Sequence, residues 1–313
     1  NSQLAAQRLL DLVQPLGADD LVICLISGGG SALVSLPASG LDLAEKQRLT
    51  QQLLHSGASI HEINTLRRHL SAIKGGHLAL ACAPAPIINL IISDVPGDAP
   101  HQIASGPTVA DPSTCAEALA IIDHYGLQVC PTIRHALAQQ QWETLKPSHP
   151  FVSSVSTHLI ATPQRSLQAA AQLFKQAGYN TLILGDHIEG EAQEVAKVMA
   201  GIAHSIVKHA SPITTPAIIL SGGETSVRVQ GTGKGGRNVE FLLALLYATR
   251  DQLPLTALAA DTDGIDGSCA VAGAFITPQT WSKALNLGLN PAEYLKNNDA
   301  HRFFAKIQQQ IIT

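Results

Sequence analysis

The sequence predicts an α/β protein of two domains with largely parallel sheets. Strand and helix patterns alternate along almost the whole chain, the signature of βαβ units rather than of hairpins. Two apolar runs, 21–26 and 217–220, pass straight into Ser-Gly-Gly, as buried parallel strands do at a ligand-facing end. The length of 313 residues suits about two domains. A stretch rich in Pro, Ser and His, from Lys146 to His158, divides them, so the expected domains are 1–148 and 149–313.

Each element has its own signal. Leu4, Leu9, Leu10 and Val13 have helical spacing, and Pro15 and Gly17 stop that helix. The uninterrupted run 21–26 predicts a buried strand. Asp42 is a natural N-cap and Gly57 a natural stop for a helix from Leu43 to His55. A second helix is expected over Ile60–Ile73, with Ile60, Ile63, Leu66, Leu70 and Ile73 on one stripe. A buried strand at Ile87–Ile92 and a helix at Ser113–Tyr125, closed by Gly126, complete the first half. Beyond the divide the expected order is strand 158–161, helix 166–177, strand 181–184, helix 191–203 and strand 217–220. A short strand 226–230, a helix 238–249 and a strand 255–260 follow.

Composition narrows the function. Charged residues make up 14% of the chain, well under the usual ~25%, and the net charge of −4 comes with no basic run. Nothing therefore favours nucleic acid or an anionic membrane as a partner. No apolar stretch reaches the ~20 residues of a membrane span, because Pro84, Pro86 and Asn89 interrupt the richest one. The low charge leaves room for a homodimer interface. Five cysteines without CxxC spacing, and no signal segment, read as thiols of a reducing, cytoplasmic setting.

Glycines at a strand end let backbone N–H groups approach an anion, and hydroxyls add donors. The turn Ser27, Gly28, Gly29, Gly30, Ser31 and the turn Ser221, Gly222, Gly223, Glu224, Thr225 are candidate anion grips on that ground. A tight strand-to-helix turn with no ligand would use the same residues. The helix expected at 60–73 carries Asn64, and by spacing it brings Arg67, Ser71 and Lys74 near one face. Asp94 and Asp98 sit in a turn after a buried strand, where Asp usually caps its own backbone. The richest cluster is Gly231, Gly233, Gly235 and Gly236 around Lys234 and Arg237, followed by Asn238 and Glu240. Ordering so many glycines is costly unless the loop grips something anionic. Asp261, Asp263 and Asp266 then place three carboxylates in six residues, oxygen chemistry suited to Mg²⁺ with phosphates completing the shell. Ala272 at the twelfth position excludes a calcium loop.

Gly231, Gly233 and Gly236 also satisfy G-x-G-x-x-G, with Asp261 some ~20–25 residues on, so an NAD(P)H-dependent reductase is a competing reading. Against it, the preceding strand is short and carries Arg228, and the loop holds two cations where a dinucleotide fingerprint uses backbone. A non-catalytic anion-binding protein is a third reading.

These motifs give the chain its resemblance. The stretches 25–33, 55–64, 67–76, 93–98, 103–108, 221–225, 235–238 with Glu240, and 261–267 follow the order of the glycerate 2-kinase family over nearly the whole chain. The C-terminal part of that family is known as the MOFRL domain. The resemblance implies a Rossmann-like N-terminal domain and a smaller MOFRL-type α/β domain. It also implies ATP-dependent phosphorylation of D-glycerate, Mg²⁺-assisted, in a cleft between the two, with 2-phosphoglycerate favoured. Similar proteins have carried the name hydroxypyruvate reductase, which is the oxidoreductase alternative. The family's N-terminal Gly-Lys-Ala lysine and its C-terminal Gly-Pro-Thr-Gly-Thr-Asn run have no counterpart here. On this reading Ser27–Ser31, Asn64, Arg67 and Lys74 hold one anionic partner, and Ser221–Thr225 with Lys234, Gly235, Gly236, Asn238 and Glu240 hold the other. Arg237 stabilises the transferring phosphoryl group, Lys74 and Asp94 join it in catalysis with Asp94 accepting the hydroxyl proton, and Asp261, Asp263 and Asp266 bind Mg²⁺.

Overall fold

The computed structural model describes residues 2–95 and 97–313. It divides into two compact units, Asn1–Pro163 and Gln164–Thr313. Pro96, within the 93–98 motif, lies outside the described residues.

The first unit runs α1 (Ser2–Val13), β1 (Val22–Ile26), α2 (Gly30–Leu33), α3 (Leu43–Ser56), α4 (Ile60–His69), α5 (His77–Cys82), β2 (Ile87–Ile92), α6 (Cys115–His124), α7 (Pro131–Ala138) and β3 (Val155–Ala161). The three strands form a parallel sheet in the order β1-β2-β3, with Val22 opposite Ile87 and Ile87 opposite Val155. Because β3 pairs with β2, it belongs to this unit, and the division falls after Pro163 rather than at 148. Ala6, Val13, Ile73, Ala79 and Ile87 pack one core where α1 and α5 meet the sheet. Leu49, Leu53, Leu66, Ile122 and Leu137 fill a second among α3, α4, α6 and α7. Truncating a side chain so enclosed, such as Leu66, costs roughly 2–5 kcal/mol.

Caps read from the sequence hold: the Asp42 side chain accepts from the Glu45 N–H, and Gly57 ends α3 in the left-handed region. Two expectations need correction. Strand β1 is not buried on both faces, since Ile23 is 59% and Leu25 78% exposed. The helix expected to Ile73 ends at His69. Ser71 instead bridges Pro37, and the Ala72 N–H donates to the Leu36 carbonyl at 3.0 Å. Ser71 and Lys74 are therefore not on a helix face with Arg67.

The second unit runs α8 (Pro163–Gln176), β4 (Asn180–Gly185), β5 (Gly190–Glu191), α9 (Ala192–His209), β6 (Ala217–Ser221), β7 (Thr225–Ser226), α10 (Arg237–Thr249), β8 (Ala257–Ala260), β9 (Gly273–Ile276), α11 (Thr280–Asn286), α12 (Pro291–Lys296), α13 (Ala300–Lys306) and β10 (Gln310–Ile311). The pairs β4-β6 and β5-β7 are parallel. The sheet β10-β9-β8 is antiparallel, a departure from the parallel pattern that the alternation predicts. Gly273 permits it, because a Cβ there would overlap the Ala259 carbonyl. The strand expected at 226–230 shrinks to two residues, Thr225–Ser226. Helix α10 is the centre of the core, burying Val239, Leu242, Leu243 and Leu246 against Ala196, Met199, Phe303 and Phe304.

Candidate active site

In the first unit β1 runs out at Ile26 and the chain bends through Ser27, Gly28 and Gly29 into α2. Gly29 is left-handed, with φ 76°. Gly28 is needed for a different reason, since a Cβ there would overlap the Asp94 carboxylate. The turn and the end of β2 thus meet as backbone against carboxylate. A Cβ on Gly30 would sit 3.0 Å from the Cβ of Ala104. Ala104, Ser105 and Gly106 follow one another in the left-handed region at φ 51°, 63° and 57°, strain of the kind held at functional sites. The Ser105 and Ser31 hydroxyls lie 2.9 Å apart. Lys74 Nζ donates to the Ser31 carbonyl at 2.6 Å and to Ser31 Oγ at 2.7 Å. Burial, reinforced by the positive charges of Lys46 and Arg67, pushes the Lys74 ammonium down to about 7. Asn64 and Arg67, both half-buried, sit three residues apart on α4.

In the second unit β6 ends at Ser221, and Gly222 ties the turn to β4. Its N–H donates to the Gly185 carbonyl at 2.9 Å, and its carbonyl accepts from the Ile188 N–H at 3.0 Å. Gly223 has φ 145°, where a Cβ would overlap the Ile188 backbone. Glu224 is exposed and Thr225 opens β7. Arg237, first residue of α10, spans two carboxylates: Nη1 is 3.0 Å from Glu224 Oε1 and Nη2 is 2.7 Å from Asp261 Oδ2. Burial works against its charge, but the two carboxylates outweigh burial and raise its pKa.

The glycine-rich loop is not the open anion grip that its composition suggests. The N–H groups of Gln230 and Gly231 donate to Asn298 Oδ1, that of Thr232 to Asn297 Oδ1, that of Gly233 to the Asn297 carbonyl and that of Lys234 to Asp299 Oδ1. The α12–α13 turn therefore holds the first half of the loop, and the Lys234 side chain is exposed. Only the N–H groups of Gly235, Gly236 and Arg237 take no partner among the described residues. They border a cavity of about 490 Å³ that Arg237, Glu240, Asp261 and Ser268 also line, within the ~300–1,000 Å³ of small-molecule sites. Three unpaired N–H groups opening a long helix beside a cavity suit a phosphate.

Of the three carboxylates placed together by spacing, Asp266 is withdrawn from the other two. Asp266 is fully buried, and accepts from the Asn238 N–H and Nδ2 through Oδ1 and from the Val239 N–H through Oδ2. It caps α10, which also engages Asn238, and does not stand open to a cation. Asp263 accepts from the Ile265 N–H within its own turn. Glu240 is likewise inward: burial raises its pKa, and it accepts from Gln193 and Asn298. Asp261 and Asp263 fit a cation that draws most of its ligands from phosphate and water, whereas Asp266 does not. Among the described residues, the metal-ligand types that do converge are His69, Cys115 and Glu143. There Glu143 Oε1 is already paired with Lys146 Nζ at 2.6 Å.

The comparisons with known proteins follow the same division. Residues 1–138 match the family described as "Domain of unknown function (DUF4147)", and residues 217–313 match the MOFRL family. The D-glycerate 2-kinase of Thermotoga maritima is 39% identical over 313 residues, which is 100% of this chain and 73% of that protein. This chain belongs to the glycerate kinase family. The crystal structure of a Thermotoga maritima glycerate kinase matches it with a TM-score of 0.88, covering 100% of this chain and 74% of that one at 39% identity. A 47% identical protein of Agrobacterium vitis, matched over 99% of this chain and 70% of its own length, bears the name "Putative hydroxypyruvate reductase". Within this glycerate kinase family member, G-x-G-x-x-G does not have the context of a dinucleotide fingerprint. The strand before it has two residues, and Gly231 and Gly233 are glycine because a Cβ would overlap Asn297. The 103–108 motif supplies Ser105, whose hydroxyl meets that of Ser31, whereas the Asn297–Asp299 turn that holds the glycine-rich loop has no signal in the spacing of the sequence.

Proposed function

We propose that the protein is an ATP-dependent kinase that phosphorylates D-glycerate, with Mg²⁺, and that 2-phosphoglycerate is the product. The observation that carries this is Arg237. It opens α10 beside three unpaired N–H groups and a cavity, and Glu224 and Asp261 hold its guanidinium plane from two sides. Phosphoryl transfer is largely positioning and charge neutralisation, and an arginine so placed contributes about 10³–10⁵ in rate. ATP phosphates would rest on Gly235, Gly236 and Arg237, with Ser221–Thr225 as the neighbouring wall. The Ser27–Ser31 turn, Asn64, Arg67 and Lys74 would hold glycerate by its carboxylate. Asp94, exposed against Gly28, would take the proton from the attacking hydroxyl. Mg²⁺, held by Asp261 and Asp263, would neutralise phosphate charge. Five cysteines without a disulfide fit a reducing compartment, and no described helix is long and apolar enough to cross a membrane.

The reductase reading rests on the name of the Agrobacterium vitis relative, and the packing of Gly231 and Gly233 argues against it. One coupled assay separates the readings. ADP release that needs D-glycerate and Mg²⁺ supports the kinase. NAD(P)H oxidation with hydroxypyruvate, without ATP, replaces it with a reductase. Binding without turnover of either kind leaves an anion-binding protein.

A further inference from the structure

Lys46 lies in the first turns of α3 and is 6% exposed. Its Nζ is sealed from solvent and has no hydrogen-bond partner among the described residues. Lysine normally extends its flexible stem to keep the ammonium in water. Here the stem turns inward, toward charges of its own sign. Arg67, from α4, repels Lys46, and both repel Lys74. The unit pairs other cations routinely: Arg48 with Glu45, Arg68 with Asp111, Arg134 with Asp123 and Lys146 with Glu143. Lys74, by contrast, has two cations near enough to repel it, Lys46 and Arg67, and among the described residues its Nζ donates to the neutral oxygens of Ser31, while the Asp94 carboxylate lies against Gly28 of the same turn. A buried charge without a partner is strongly disfavoured, so the arrangement makes sense when a negative group completes it.

We propose that Lys46, Arg67 and Lys74 form one oxyanion pocket, with Lys46 as its buried third cation, and that its ligand is a small carboxylate or phosphate. The proposal deepens the kinase reading, which gives this turn an anionic substrate but no role to Lys46. The flexible four-carbon stem lets Nζ swing to a ligand oxygen, and an oxyanion among three cations turns their mutual repulsion into attraction.

Isothermal titration calorimetry with D-glycerate, inorganic phosphate and uncharged glycerol tests it on the wild type, Lys46→Met and Lys46→Arg. Glycerate or phosphate should bind the wild type, and glycerol should not. Lys46→Met should weaken the bound anion by about tenfold or more and leave AMP-PNP affinity within twofold. It should also raise the Tm of the ligand-free protein, since an apolar side chain replaces an unpaired buried charge. Lys46→Arg should bind within about threefold of the wild type. Weakening of glycerate alone assigns the pocket to the substrate carboxylate, and weakening of phosphate alone assigns it to a phosphoryl end. The proposal is overturned if neither anion binds the wild type, or if Lys46→Met binds both as the wild type does. Turnover is scored separately. Lys46-dependent binding without ADP release removes the kinase reading alone, and normal turnover with Lys46→Met binding unchanged removes this proposal alone.

Discussion

The two Ser-Gly-Gly turns have nearly the same sequence and opposite electrostatics. At Ser27–Ser31 the contacting cation is Lys74, which Lys46 and Arg67 repel, and burial presses Lys46 to about 8 and Lys74 to about 7. At Ser221–Thr225 Arg237 lies between Glu224 and Asp261, which raise its pKa against the effect of burial. The first turn has positive charge to give to a ligand. The second has a cation already aimed and balanced, beside open N–H groups. A shared motif therefore says where backbone can approach a ligand, while the side chains around it decide the sign and purpose of the field.

The sharpest way to break this contrast is Arg237→Ala. In the kinase reading kcat falls by about 10³ or more while D-glycerate affinity stays near that of the wild type; steady-state kinetics with calorimetry checks both. Next comes pH. The folded pKa values of Lys46 and Lys74 lie below the ordinary 10.5, so the unfolded chain binds more protons than the folded one between about pH 7 and 10. The destabilisation is present in full below that window and is relieved as pH rises through it. Denaturant midpoints should rise across this range, and Lys46→Met should flatten the slope.

Two substitutions then compare the turns directly. Gly28→Ala places a methyl on the Asp94 carboxylate and should cost about 1–3 kcal/mol by thermal melting. Gly222→Ala meets nothing closer than 3.6 Å and should stay within about 0.5 kcal/mol. Asp266→Asn should weaken the cap on α10 by about 1 kcal/mol and leave the Mg²⁺ dependence of turnover unchanged. Asp263→Asn, by contrast, should shift that dependence.

Much of the fold was legible in the sequence. Capping residues and apolar spacing located α3 to within a residue, because Asp42 and Gly57 act on their immediate neighbours. The strand Ile87–Ile92 was equally plain. The end of α4 was not, since Ile73 keeps the helical stripe and is buried although the helix has stopped. Its stop depends on Pro37 and Leu36, more than thirty residues away. For the site, the glycine turns and Arg237 stood out by composition. The duty of Asp266 did not, because it is set by α10 N–H groups 27 and 28 positions earlier.

Amino-acid order alone determined the element types, the glycine turns and the family, since each depends on short-range stereochemistry or on motifs in a fixed order. Tertiary structure decided which charges are paired. Asn297–Asp299 occupy the loop donors, Asp266 closes a helix, and Lys46 is left among cations. The physical reason is that a hydrogen bond or ion pair depends on distance in space, and folding brings together groups that the chain keeps tens of residues apart.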